Sequence, residues 1–141
     1  MYIDSQLEFD DNDAHLTSTA STDYVDTLVA ADAITPGARV LAKISTAYVD
    51  AGGGTIITKL QTCAESGFDS PTTLLTGPTI TIAAGAATAA GAVGVTLLDG
   101  VIPAGVLRYL RVYYTLSQTM DAGSTDARIV LDTDKLLDRG L

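Results

Sequence analysis

Tyr109, Arg111 and Tyr113 alternate along one apolar stretch, with Tyr114 beside them. Tyrosine and arginine offer large contact area with polar ends, the chemistry of a protein interface. The same pattern also fits residues that merely cover a sheet whose inner face is core, with Tyr114 on that inner face. Groups suited to catalysis are scarcer. His15 is the only histidine, which removes most histidine-based triads and nearly all familiar zinc sites, so it reads as a surface or strand-edge residue. Cys63 has no Cys or His neighbour and reads as a small apolar strand residue. Asp10-Asp11-Asn12-Asp13 offers hard oxygen ligands, but no turn glycine and no closing Glu give it a calcium-loop spacing. It reads as a solvated acidic turn whose side chains bond nearby backbone groups. Gly52-Gly53-Gly54 lacks the Lys and Ser or Thr of a phosphate loop. No spacing selects a catalytic pair from 17 acids. The expectation is a chain without catalytic residues, metal or cofactor.

The elements that must position these groups read as strands. Thr, Val, Ile and Tyr are plentiful, and no charged amphipathic stretch has a helical period. From Ala38 to Val49, Val40, Ala42 and Ile44 share one face while Arg39 and Lys43 lie elsewhere, the period of a half-buried strand. After the stop at Asp50 to Gly54, Thr55 to Cys63 places Ile56, Thr58, Leu60 and Thr62 together, and the two strands read as a hairpin. Leu107 to Leu116 aligns Leu110, Val112, Tyr114 and Leu116 opposite Tyr109, Arg111 and Tyr113. Asp126 to Asp132 alternates Ala127, Ile129 and Leu131 with Arg128 and Val130. Shorter strands are expected at Tyr2 to Phe9, His15 to Thr19, Tyr24 to Thr27, Thr79 to Ala83 and Val93 to Leu98. Ala83 to Val95 carries Gly85, Gly91 and Gly94, each costing about 1 kcal/mol against Ala in a helix, so it reads as an irregular loop. Eight or nine short strands with little or no helix describe an all-β, jelly-roll-like sandwich in one domain over 1–141.

Composition narrows the partners. With 47% apolar and 18% charged residues in 141, one core is affordable and disorder is disfavoured. The net charge of -9 opposes sustained contact with phosphate backbones, so nucleic acid is not an expected partner. Arg108 and Arg111 are the one close basic pair, and strand alternation sends them to opposite faces. No run approaches the ~20 apolar residues of a membrane helix. Met1-Tyr2-Ile3-Asp4 has an acid where a secretion signal needs basic residues, and one cysteine permits no internal disulfide, which fits synthesis in a reducing cytoplasm.

Three segments resemble one known family in order. Leu7-Glu8-Phe9-Asp10-Asp11-Asn12-Asp13-Ala14-His15-Leu16-Thr17 with Ser21-Thr22-Asp23-Tyr24-Val25-Asp26 resembles the amino-terminal signature of tailed-bacteriophage capsid cement (decoration) proteins of the Bordetella-phage type. Leu60-Gln61-Thr62, Phe68-Asp69-Ser70 and Thr73-Leu74 resemble that family's central hairpin. Arg108-Tyr109-Leu110-Arg111-Val112 with Tyr114-Thr115, and later Val130-Leu131-Asp132, are similar to its last strands. The sequence departs at Asp10 and Asp13, where Ser and Gln are usual, and at Thr27-Leu28, which stands for Leu-Gly; these read as turn and surface positions.

The resemblance implies a structural protein of the virion. It would bind the exterior of an HK97-type head, associate with itself as a dimer or trimer, and bridge neighbouring major capsid subunits. The first ~25 residues and the tail 133–141, with Leu136, Leu137 and Leu141, are expected to add contacts, because terminal segments are ordered mainly when something holds them. The reading from another class is a virion-displayed module that adheres to host glycans through exposed aromatic residues; the absence of Trp lowers it.

Overall fold

Period-two burial dominates the chain. In the computed structural model, which describes residues 7–31, 37–85 and 89–130, ten strands follow one another. They are β1 (Glu8–Ala14), β2 (Thr19–Ala20), β3 (Val25–Ala31), β4 (Arg39–Val49), β5 (Gly54–Cys63), β6 (Thr72–Thr76), β7 (Ile80–Ile82), β8 (Thr96–Val101), β9 (Leu107–Leu116) and β10 (Ala122–Val130). A 3-10 turn at Ala89–Gly91 lies between β7 and β8. The expected strands at 38–49, 55–63 and 107–116 form almost to the residue, because each alternates β-branched or aromatic residues inward with polar groups outward. The early strands sit later in the chain than their local pattern suggests: β1 runs through the acidic cluster, which is therefore strand and not turn.

The strands form two antiparallel sheets. One has the order β1-β10-β4-β8; the other has β2-β9-β5-β6, with β3 also on β9 and β7 also on β5. Counting β2 with β3 and β6 with β7 leaves eight strand positions, paired first with last, second with seventh, third with sixth and fourth with fifth. That is a long hairpin rolled over on itself, the jelly-roll connectivity. Val40, Ala42, Ile44, Tyr48, Leu97, Ala127 and Ile129 of the first sheet face Ile56, Leu60, Leu110, Val112, Tyr114 and Leu116 of the second, all buried. The apolar stripes legible in the sequence are thus the two inner faces of the sandwich.

The hairpin expected between 38–49 and 55–63 does not exist. β4 pairs with β10 and β8, while β5 pairs with β9, β6 and β7, so Asp50 to Gly54 carries the chain from one sheet to the other. A glycine-rich turn reads alike whether its flanking strands bond to each other or face each other across a core. Tertiary contacts fix the corner. Ala51 N–H donates to Asp121 Oδ2 at 3.0 Å, and the Gln118 side-chain amide donates to Asp50 and to the Gly53 carbonyl. Gly53 has φ 73°, and a Cβ there would lie 2.8 Å from the Ile82 carbonyl oxygen, so only glycine fits.

Candidate interaction surface

The acid and the histidine singled out in the sequence meet, but inside the protein. Asp10 of β1 is 1% exposed and His15 4% exposed, which corrects the reading of both as surface groups. Asp10 Oδ1 takes the Thr22 backbone N–H at 2.8 Å and lies 2.9 Å from His15 Nε2; Oδ2 takes the Tyr114 hydroxyl at 2.6 Å. Thr125 of β10 donates to the Tyr114 oxygen at 3.0 Å, Tyr48 donates to the His15 carbonyl at 3.0 Å, and the His15 ring stacks on Tyr114 with centroids 4.6 Å apart. Burial, reinforced by the Asp10 charge, holds the Tyr114 and Tyr48 hydroxyls well above the ordinary tyrosine range. These groups present almost no surface to solvent. They tie β1, β4, β9 and β10 together across the core, and a buried polar group so fully bonded contributes to a unique packing arrangement. Sequence spacing could not show this, because Tyr114 and Asp10 come together only through the roll of the sheets.

Cys63 is buried and unpaired, as a small apolar residue at the end of β5 would be. Among the described residues no group of three or more His, Cys, Asp or Glu could hold a metal ion, and no helix is long and apolar enough to cross a membrane.

The outward face of the second sheet is chemically distinct. Alternation along β9 buries Leu110, Val112 and Tyr114 and leaves Tyr109, Arg111 and Tyr113 half-buried on the outer side, opposite Cys63, Gln61 and Lys59 of β5. Tyr24, 50% exposed, packs edge-to-face on Tyr109 at 5.6 Å and on Phe68 at 6.2 Å, and Phe68 meets Tyr109 at 6.5 Å. The Arg111 guanidinium carbon lies 4.4 Å from the Phe68 ring centre and 5.2 Å from that of Tyr113, and Nε donates to Gln61 Oε1 at 2.9 Å. Burial draws the Arg111 pKa down. Arg108, three positions before Arg111 on the same strand, is paired within the chain. Arg108 forms a fork to Asp26, at 2.8 and 3.0 Å, and Asp26 stands opposite Tyr109, so the Arg108 guanidinium reaches within 5.0 Å of that ring. The paired charges hold Asp26 below and Arg108 above their usual ranges.

The structure thus gathers Tyr109, Arg111 and Tyr113 into one platform and adds Tyr24 and Phe68, which no spacing argument reached. Both lie in segments that carry the family resemblance, Asp23-Tyr24-Val25 and Phe68-Asp69-Ser70, and that was their one sequence signal. Leu136, Leu137 and Leu141, named with the platform as contact residues, lie outside the described residues. The opposite outer face, on the first sheet, is charged instead: Arg39 pairs with Asp99 at 2.6 Å, and a shallow hollow is lined by Leu41, Lys43, Asp126 and Arg128. Comparison with protein-family models and with curated proteins finds no match to this chain.

Proposed function

We propose that this chain is a structural capsid cement protein: it binds the outer surface of an HK97-type phage head and bridges neighbouring major capsid subunits. The observation that carries the reading is the aromatic and arginine platform on the outer face of the second sheet. Tyr24, Tyr109, Phe68, Tyr113 and Arg111 support one another there, four of the five lie in stretches that resemble the cement family, and the face is ready-made for a protein partner. The jelly-roll frame supports it too, because it holds Tyr109, Arg111 and Tyr113 on a strand paired with β5. The neighbouring rings Tyr24, Tyr109 and Phe68 meet at 64° to 76°, edge against face, which suits side-chain packing better than the flat floor a sugar ring stacks on. Self-association as a dimer or trimer belongs to the same reading; catalysis, nucleic acid and membrane do not.

Cementing is then a linkage effect. A molecule that binds only the assembled shell lowers that shell's free energy, and linked copies that engage adjacent capsomers make modest contacts cumulative. The test is thermal rupture of particles. Heads lacking this protein should rupture at a lower temperature, and Tyr109→Ala with Tyr113→Ala should empty the surface of it. Equal rupture temperatures, or full occupancy by the double variant, would overturn the proposal.

A further inference from the structure

We infer that the platform recognises a carboxylate: the partner's contacting segment presents an Asp or Glu side chain, flanked by aliphatic residues, to the guanidinium of Arg111. The inference rests on the platform being the docking face proposed above and names the chemistry it selects.

The geometry begins with Arg111. Its guanidinium is held against the rings of Phe68 and Tyr113 and anchored through Nε to Gln61, so the head is fixed and oriented before any partner arrives. That anchor uses one donor of five, and the fork of a guanidinium matches a carboxylate with two parallel hydrogen bonds. Among the described residues Arg111 has no carboxylate partner, although the chain carries 17 acids and only eight bases. Arg108 on the same strand is satisfied by Asp26, and Arg39 on the opposite face by Asp99. A partly buried cation stripped of some of its water and left without a counter-charge is a standing cost to the free protein, and an external carboxylate removes it.

Overall charge argues against a second copy as the occupant of this face, because each copy carries a net charge of -9. The rings around Arg111 supply the apolar contact that aliphatic flanks would fill.

The test uses the full chain, isotopically labelled, with the Arg111 Nε–H signal followed by NMR. The probes are the capped peptides acetyl-Leu-Asp-Leu-amide and acetyl-Leu-Asn-Leu-amide. The Asp peptide should shift the Arg111 signal saturably, and the Asn peptide should bind about tenfold more weakly or not at all. Arg111→Lys, which keeps the charge but loses the planar fork, should weaken the Asp peptide, and Arg111→Gln should abolish the discrimination. Equal responses to both peptides, no saturable response, or signals that move with protein concentration alone would each overturn the inference. If neither peptide binds while Tyr109→Ala with Tyr113→Ala still strips the protein from heads, the carboxylate is wrong and the capsid reading stands.

Discussion

The Tyr114 hydroxyl donates to Asp10 Oδ2 at 2.6 Å, joining β9 of one sheet to β1 of the other through the middle of the sandwich. Both residues are buried, so neither can exchange this bond for one to water. Tyr114→Phe keeps the ring and its stacking on His15 but leaves Asp10 one donor short. Hydrogen bonds to charged groups are worth about 1.5–3 kcal/mol, and we expect a loss of that order in urea denaturation. A loss below ~0.5 kcal/mol would mean the bond contributes little.

Alkaline titration offers a second check. Tyr48 and Tyr114 have raised pKa values in the folded state because burial penalises the phenolate. A raised pKa means the folded state holds its protons longer, so the stabilisation is full below about pH 10, the unfolded tyrosine value, and is lost as pH rises above it. The absorbance step at 295 nm that belongs to these two residues should therefore arrive together with unfolding. Tyr48→Phe and Tyr114→Phe should each remove part of it.

Thr58 points the other way. It is fully buried in β5, and its Oγ1 has no hydrogen-bond partner among the described residues. An unsatisfied buried hydroxyl costs about 1–3 kcal/mol, so Thr58→Val, nearly the same shape, should raise the melting temperature. A clear decrease would show that the hydroxyl is satisfied by a bound water.

Gly123, at φ 151° in β10, lies under the ring of Tyr48, and a Cβ there would run into that ring. Tyr48 cannot retreat without breaking its bond to the His15 carbonyl. Gly123→Ala should cost about 1–3 kcal/mol, the usual range for overpacking a filled core, measured by denaturant midpoint.

Leu28 has φ 66°, a left-handed conformation costing a residue with a branched side chain about 1–2 kcal/mol, and its side chain is exposed. The Leu28 backbone N–H donates to Asp26 at 2.8 Å, within the stretch of β3 where its register on β9 shifts. Leu28→Gly should stabilise the protein by about 0.5–1 kcal/mol after glycine's own entropy cost. A less stable variant would mean that Leu28 makes contacts that outweigh its backbone strain.

The inner faces of β4, β5 and β9 were legible because alternation is a local property: Val40, Ala42 and Ile44, or Leu110, Val112 and Tyr114, need only their own strand to be recognised. The outward position of Tyr109, Arg111 and Tyr113 followed from the same rule. Phe68 escaped it, because a loop residue has no period; its burial comes from Arg111 and Tyr109, distant in sequence. Asp10 and His15 misled for a related reason. A polar residue with no visible partner reads as solvated, and their partners Tyr114 and Thr22 arrive only when β1, β9 and the chain after β2 are brought together.

The amino-acid order alone determined that the chain is all-β, which residues of each long strand turn inward, and that tyrosine and arginine share an outer face, since all three depend on neighbours two positions apart. Only the tertiary structure decided which strands pair, that Asp50 to Gly54 is a corner between sheets and not a hairpin, and that an acid and a histidine lie at the centre of the core. Pairing and burial are set by contacts between distant segments, and a local pattern carries no record of which segment will come to lie across from it.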